Sequence, residues 1–144
     1  MDRISYNFIE TALEDVNFKI VNISGEINVE NNFKVSVNIE DKSKIKVTGV
    51  IALYDGDIGT PFLTVTCAGY FNSNNSKENV ELHEFENPVK MLNYVMPEIS
   101  ESVSFITRKA YGHPIEIPTE VHEEMFEQKS KNGLLYTSTI QRDR

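Results

Sequence analysis

Composition and charge limit what this chain can do. Its 144 residues include 14 Lys and Arg against 22 Asp and Glu, for a formal charge of −8. Because 40% of the residues are hydrophobic and 10% aromatic, the chain is too apolar to be disordered, and its length fits one domain. A negatively charged protein is a poor ligand for nucleic acids and anionic membranes, so we expect neither as a partner.

Two further features indicate the compartment. No apolar run approaches the roughly 18 residues that a membrane helix needs, and residues 1–5 do not resemble a secretory signal. The single cysteine, Cys67, cannot form an internal disulfide and is compatible with a reducing environment. We therefore expect a cytoplasmic protein that does not insert into membranes.

The first half of the sequence predicts β-strands. Residues 33–39 alternate apolar and polar side chains, and residues 45–53 do so again after a polar turn. A third strand is predicted over residues 62–71 and a less distinct one over residues 16–23, whereas residues 6–13 could extend that strand or form a helical turn. The short polar loops predict an antiparallel meander.

The second half predicts helices. A short helix is expected over residues 77–85, and a long one begins at Asn87-Pro88, where Asn can cap and Pro fits the first position. Pro97 should kink the long helix or mark its true beginning, and Gly112 is placed as its C-cap. Its apolar stripe consists of residues three or four apart: Leu92, Met96, Ile99, Val103, Ile106 and Ala110.

The end of the chain is expected to leave the domain. Residues 114–118 form an extended linker between two prolines, and residues 119–128 a second short helix. Residues 129–144 carry more basic than acidic side chains, and we expect a flexible tail outside a single domain of residues 1–128. Strands followed by helices define an α+β fold, here a four-stranded antiparallel sheet followed by a long helix and a short C-terminal helix.

The sequence contains no recognisable catalytic set. It has no phosphate-binding loop, dinucleotide-binding glycine motif or nucleophile elbow. His83 and His122 each precede a glutamate but lack the second histidine of a zinc motif, and Asp55-Gly56-Asp57 is better explained as a turn than as a calcium loop. Cys67 belongs to an apolar strand face and should behave as a small hydrophobic residue. We therefore predict no enzyme activity, no metal and no cofactor.

The strand over residues 62–71 presents apolar groups on both faces. Phe62 and Tyr70 lie opposite a face that consists of Leu63, Val65 and Cys67. A two-layer domain covers only one sheet face with its own helices, so the other should bind a second subunit or a partner. A broader core is the alternative. The long helix shows the same surplus in three residues off its main stripe: Tyr94, Val95 and Phe105.

Four segments match the motifs of one protein family in order and spacing. They are CAGYF at 67–71, NYVMPEISE at 93–101, HPIEIP at 113–118 and EEMF at 123–126. The first is similar to the last strand of the SecB export chaperones, the second to the start of their long helix, and the others to their linker and closing helix. Asn93, Pro97 and Glu101 match in register, and the resemblance covers residues 15–127.

This resemblance implies a function and an assembly. It implies an ATP-independent holdase that binds unfolded or precursor polypeptides in apolar grooves for protein export, as a homotetramer built as a dimer of dimers. The client groove would include Phe62, Tyr70, Tyr94, Met125 and Phe126. The SecA translocation motor would dock on Asp15, Phe62 and Thr64. Subunit contacts would involve Leu63, Val65, Cys67, Ile99, Val103 and Ile106.

The chain departs from the family at the residues that would bind SecA. Asp15 matches one of two acidic positions, but Lys19 occupies the other and Thr64 replaces a further acid. The tail is basic, whereas classical members often end in acidic residues. Two alternatives to an export chaperone therefore stay open: a dedicated chaperone of an antitoxin or another single client, and a non-chaperone oligomer of the same fold.

Overall fold

The computed structural model describes residues 3–56, 59–122 and 136–141, and its strands form one antiparallel sheet. The strands are β1 (Tyr6–Phe18), β2 (Glu26–Val37), β3 (Lys44–Asp55), β4 (Leu63–Ser73) and β5 (Tyr136–Gln141). A 3₁₀ turn (Leu82–Glu84) and the helices α1 (Pro88–Leu92) and α2 (Met96–Tyr111) lie between β4 and β5 in the sequence. The order β1-β4-β3-β2-β5 makes β1 and β5 the two edges. The predicted α+β fold is confirmed, with a fifth strand added at one edge.

β1 is the strand for which the sequence left two alternatives. Residues 6–13 are extended rather than helical, and the strand ends at Phe18, earlier than predicted. Its pairing with β4 shifts register at two β-bulges, whose extra residues are Ile9 and Glu14. The first bulge moves residues 10–13 to the opposite sheet face from the one that strict alternation would give, and the second restores the original alternation for residues 15–18. The sequence of β1 therefore shows no period of two.

α2 packs on the inner face of the sheet, and two glycines make this approach possible. A Cβ at Gly49 would lie 2.8 Å from Cδ1 of Ile99, and one at Gly69 would lie 2.7 Å from Cγ2 of Val95. Both distances are shorter than real Cβ contacts. The helix thus rests on the bare backbone of β3 and β4, and the apolar core lies between them.

The helical region is interrupted as Pro97 predicts. Residues 93–95 form a turn between α1 and α2, and Pro97 is the second residue of α2, where its missing N–H would have no partner in the helix. Gly112 ends α2 with a φ of +80°, a left-handed conformation that favours glycine. Both sequence predictions are confirmed.

Two predictions for the preceding segment need correction. Only the 3₁₀ turn forms within residues 77–85, so the short helix expected there is absent. Asn87 does precede α1, but its backbone is left-handed (φ +43°) and its side chain makes no capping hydrogen bond. Its carbonyl instead accepts a hydrogen bond of 3.0 Å from the Tyr6 hydroxyl. Asn87 therefore connects β1 to α1.

The linker after α2 is extended, as predicted, and runs back along the helix. Its apolar residues Ile115, Ile117 and Val121 are buried. Three polar side chains hold its backbone: Ile115 N–H donates to Thr107 Oγ1 at 2.7 Å, the Ser100 hydroxyl donates to Ile117 O at 3.1 Å, and Val121 N–H donates to Asn93 Oδ1 at 2.6 Å. The linker is therefore part of the core layer.

The C-terminal predictions are partly corrected. Residues 119–122 are not helical, and the remainder of the predicted helix, residues 123–128, lies outside the described residues. Within the expected tail of residues 129–144, Tyr136–Gln141 is β5 and pairs antiparallel with β2. The charge of the segment indicated solvation, whereas its β-branched and aromatic residues suit a strand.

We expect Gly69→Ala to destabilise the fold. The added methyl group would meet a β-branched side chain, Val95, at 2.7 Å, and overpacking of this kind costs about 1–3 kcal/mol. The midpoint of urea unfolding should fall with an unchanged m-value. Gly59→Ala is the matched control, because nothing lies within 4 Å of its added Cβ. Equal midpoints for the two variants would contradict this account of helix seating.

Candidate functional site

The largest group of exposed apolar side chains follows β1. On this strand the exposed fraction is 37% for Phe8, 54% for Leu13 and 38% for Val16. Ile9 in the first bulge and Ile20 just beyond the strand are also exposed. We refer to Phe8, Leu13 and Val16 as the β1 surface.

The register of the sheet shows why the β1 surface is apolar. Its three residues lie opposite three buried residues of β4 in the pairing: Phe71, Cys67 and Val65, respectively. Paired residues in adjacent antiparallel strands project to the same face, so the β1 surface continues the inner face of the sheet. α2 packs mainly on β3 and β4, and the linker runs along the helix. In the described part of the chain, the inner face of β1 is therefore left largely uncovered.

An aromatic group borders the β1 surface near the start of α2. The rings of Phe8 and Tyr94 stack with centroids 4.3 Å apart and an interplanar angle of 7°. Phe71 contacts both rings at an angle, with centroid distances of 5.6 Å to Phe8 and 5.9 Å to Tyr94. Tyr6 lies beside them, and its burial, with smaller effects of Tyr94 and Glu86, raises the pKa of its hydroxyl to about 12. Tyr6 therefore stays neutral near neutral pH, and the group presents mainly aromatic surface.

A second aromatic contact borders the β1 surface near the end of α2. The rings of Phe18 and Tyr111 meet edge to face with centroids 6.2 Å apart. The Tyr111 hydroxyl donates to Val21 O at 3.1 Å and accepts from Val21 N–H at 3.3 Å. Both ends of β1 are therefore fixed to the helical layer.

The outer face of β1 is acidic. Glu14, the second bulge residue, forms a 2.7 Å ion pair with Lys46, and the Tyr70 hydroxyl donates to the same carboxylate at 3.3 Å. The hydrogen bond with Glu14 is the main reason why the pKa of Lys46 is raised. Glu10 and Asp15 are exposed on the same strand. β1 therefore presents an apolar inner face and an acidic outer one.

The predicted client residues do not form one surface. Phe62 is only 4% exposed and belongs to the core, so its assignment as a client and SecA contact finds no support in its position and stays a prediction. It precedes β4 in a bend, where its N–H donates to Leu53 O at 2.9 Å, so strand alternation does not describe its direction. Tyr70 and Tyr94 are half-buried on opposite sides of the sheet, and Met125 and Phe126 lie outside the described residues.

The other predicted docking and off-stripe residues have mixed positions. Asp15 is exposed on β1 and pairs in register with Thr66, and Thr64 is half-buried on β4. Val95, expected off the helical stripe, is fully buried against Gly69. Phe105 is 53% exposed on α2, as its position off the stripe predicts.

The predicted subunit contacts lie inside the chain. Five of them have no exposed surface: Leu63, Val65, Cys67, Ile99 and Val103. Ile106 is partly buried against the same core. These side chains pack inside the chain, and their assignment as subunit contacts stays a prediction. Most of the apolar stripe of α2 is buried against the sheet of the same chain.

The described residues hold no group of three or more His, Cys, Asp or Glu side chains placed to bind a metal ion. Cys67 lies in the core, where burial, more than the nearby Glu98, raises the pKa of its thiol to about 11. None of the helices in the described ranges is long and apolar enough to cross a membrane.

Comparison with known proteins supports the fold assignment. No protein-family model and no curated protein matches the sequence. Among solved structures, the chain is similar to the Mycobacterium tuberculosis Rv1957 SecB-like chaperone in complex with a ChAD peptide from the Rv1956 HigA1 antitoxin. The TM-score is 0.56 at 11% identity, over 79% of this chain and 86% of the other. The chain has a SecB-like fold. The resemblance seen in the sequence motifs is thereby supported at the level of structure.

We expect Cys67 to be unreactive in the folded protein. With its pKa raised to about 11, little thiolate exists near neutral pH, and the side chain has no exposed surface. Alkylation by iodoacetamide at about pH 8 should be roughly a hundredfold slower than in concentrated urea, as followed by mass spectrometry. Similar rates in the two conditions would mean that Cys67 is accessible in the native state.

Proposed function

We propose that this protein is an ATP-independent chaperone that holds unfolded polypeptides along the β1 surface. The observation that carries the proposal is a row of exposed apolar side chains beside a sheet edge in a SecB-like fold. The structural neighbour was described with a bound antitoxin peptide, which supports a polypeptide ligand. Exposed apolar patches of this kind are typical of interaction sites.

The binding mode follows from the two properties of β1. In the described part of the chain, no strand pairs with the edge of β1 that faces away from β4. An extended client can add to that edge through its backbone, which tolerates any sequence, while its apolar side chains cover Leu13 and Val16. Glu10 and Asp15 on the outer face favour a neutral or basic client segment and keep the complex soluble. None of these contacts requires a nucleotide.

Two more specific functions fit a chaperone of this kind: protein export, and the protection of a single dedicated client. In the first, the chaperone acts in the cytoplasm and hands clients to SecA through exposed Asp15 and half-buried Thr64. In the second, one partner such as an antitoxin occupies the β1 surface. The basic Lys19 at the second acidic position, and a core position for Phe62, weaken the docking surface for SecA. These observations favour the dedicated role.

Homo-oligomerisation through the same edge is the second candidate. Two copies of β1 can pair antiparallel and cover each other's apolar side chains, as a dimer or within a dimer of dimers. Such a pair would bring the exposed Glu10 and Asp15 of both copies to one edge, and like charges in adjacent strands are destabilising. The charge pattern of β1 therefore favours a client over a second copy.

We expect client holding to depend on the β1 surface. In a light-scattering assay without nucleotide, an equimolar amount of the protein should suppress aggregation of a diluted unfolded client. Leu13→Ser/Val16→Ser should weaken this effect about tenfold, because both side chains would lose apolar contact with the client. The variant should stay folded, since both residues are exposed.

Ile39→Ser is the matched control for this assay. Ile39 is 97% exposed just after β2, away from the β1 surface, so its replacement removes exposed apolar area elsewhere. It should leave suppression unchanged. If both variants suppress scattering as well as the parent, or if the parent does not suppress it at all, the proposal is contradicted.

The mass of the full chain in solution separates the two candidates. Self-pairing through β1 predicts a species heavier than the 16.4 kDa monomer that becomes more populated as salt screens the acidic residues. It also predicts that Leu13→Ser/Val16→Ser returns the protein to a monomer. A mass by multi-angle light scattering that does not respond to this variant would exclude the β1 edge as the subunit contact.

A further inference from the structure

The outer face of the sheet, opposite α2, has a centre without charged side chains. β3 pairs with β2 and with β4 without bulges, so residues two apart along each of these strands project to the same face. On β3 and β4 the middle positions of the outer face hold small or β-branched uncharged residues. We refer to five of them as the central strip: Thr48, Val50, Ala52, Thr64 and Thr66.

The central strip differs from the usual solvent face of a sheet. When an antiparallel sheet packs its helices on one side, the other side normally carries polar and charged groups. A quarter of this chain is charged, yet all five residues of the strip are uncharged, and they are only half-buried. A centre depleted in charge inside a charged rim is the usual composition of a protein interface. The strip therefore has the character of an interface centre.

The two strands that flank the strip carry opposite charges at the same height. On the outer face, β1 has Glu10 and Asp15 and β2 has Lys34, and all three residues are exposed. The register across β3 and β4 places Lys34 level with Ala12 of β1. Since Ala12 lies between the two acids, the acidic flank and the basic flank are aligned across the strip.

We propose that the outer face binds a second copy of this chain, with the two central strips in contact about a two-fold axis parallel to the strands. Rotation about such an axis between β3 and β4 places β1 of one copy over β2 of the other. Lys34 of each copy then lies over Glu10 and Asp15 of the second copy. Because the contact is symmetric, this attraction occurs twice, on either side of the uncharged centre.

A two-fold axis perpendicular to the strands gives the alternative face-to-face arrangement. Through the centre of the strip, it would place Lys34 over Glu30 of the second copy, but it would also place the two copies of Asp15 over each other. The repulsion between these like charges makes this arrangement the less favourable one. In the proposed arrangement Glu30 lies over Asn17, so a variant at Glu30 distinguishes the two orientations.

This contact is distinct from self-pairing through the β1 edge. Leu13 and Val16 project to the inner face, so the proposed interface includes neither of them. Salt also acts in the opposite direction: it screens the attraction between Lys34 and the acids of the second copy, whereas it would promote pairing of two acidic edges. The inference does not rest on the proposed function, because client holding uses the other side of β1.

The test measures the mass of the full chain by sedimentation equilibrium, with charge reversals on each flank. Lys34→Glu is the first variant and Glu10→Lys/Asp15→Lys is the second. Each variant alone places like charges over each other, whereas an equal mixture of the two restores opposite charges at both symmetric contacts. Lys90→Glu is the matched control, because it makes the same change at an exposed position of α1.

We expect the parent and Lys90→Glu to form a dimer, with twice the monomer mass of 16.4 kDa, that weakens as salt is added. Each reversal alone should raise the dissociation constant of the dimer at least about tenfold, and the mixture should return it to near the parent value. Association in the mixture also shows that both variants are folded. Glu30→Gln should leave the constant unchanged.

Four results would overturn the inference. The first is a parent that stays monomeric at low salt at every concentration tested. The second is a dissociation constant that neither reversal changes more than Lys90→Glu does. The third is a mixture that associates no better than the separate variants. The fourth is a weaker dimer in Glu30→Gln, which would mean that the two copies meet about the perpendicular axis. Suppression of client aggregation has no bearing on these outcomes.

Discussion

The close approach of α2 to the sheet is the constraint on which the rest of the structure depends. It is possible only because Gly49 and Gly69 expose backbone where any larger residue would contact Ile99 or Val95. Because the helix lies mainly over β3 and β4, most of its apolar stripe is buried inside the chain. The same position leaves most of the inner face of β1 exposed. The position of α2 therefore accounts both for the buried core between helix and sheet and for the exposed apolar side chains of β1.

The two sheet edges are protected against unwanted strand pairing in different ways. An unprotected edge invites pairing with other chains. At β2 the chain supplies its own strand, whereas at β1 the protection consists of two bulges and acidic side chains beside an apolar inner face. An exposed apolar edge such as β1 would promote aggregation. Acidic side chains beside it repel a second copy of the protein but still allow a neutral or basic segment to bind. This is the physical basis of the proposed chaperone function.

Sequence patterns predicted the parts of this fold that obey regular periods. β2 and β3 pair without bulges, and their alternation was visible over residues 33–37 and 45–53, whereas the first half of β2 was not predicted; Pro97 and Gly112 marked the limits of α2 correctly. The β1 surface was not predicted, because each bulge residue shifts the sheet face of those that follow. Phe62 was assigned to the wrong side since it stands in a bend. The burial of Leu63 and Ile99 within one chain depended on which element covered them, and periodicity carries no such information.

The aromatic contacts at the two ends of β1 have a thermodynamic consequence. Tyr94 stacks on Phe8 at one end, and the Tyr111 hydroxyl forms two hydrogen bonds with the backbone of Val21 just beyond the other end. A strand held in this way has little conformational entropy left to lose when a ligand arrives. The ordering cost of association then falls almost wholly on the incoming polypeptide. Affinity should consequently vary with the stiffness of the ligand: segments that are already extended in solution bind best, and glycine-rich ones bind least.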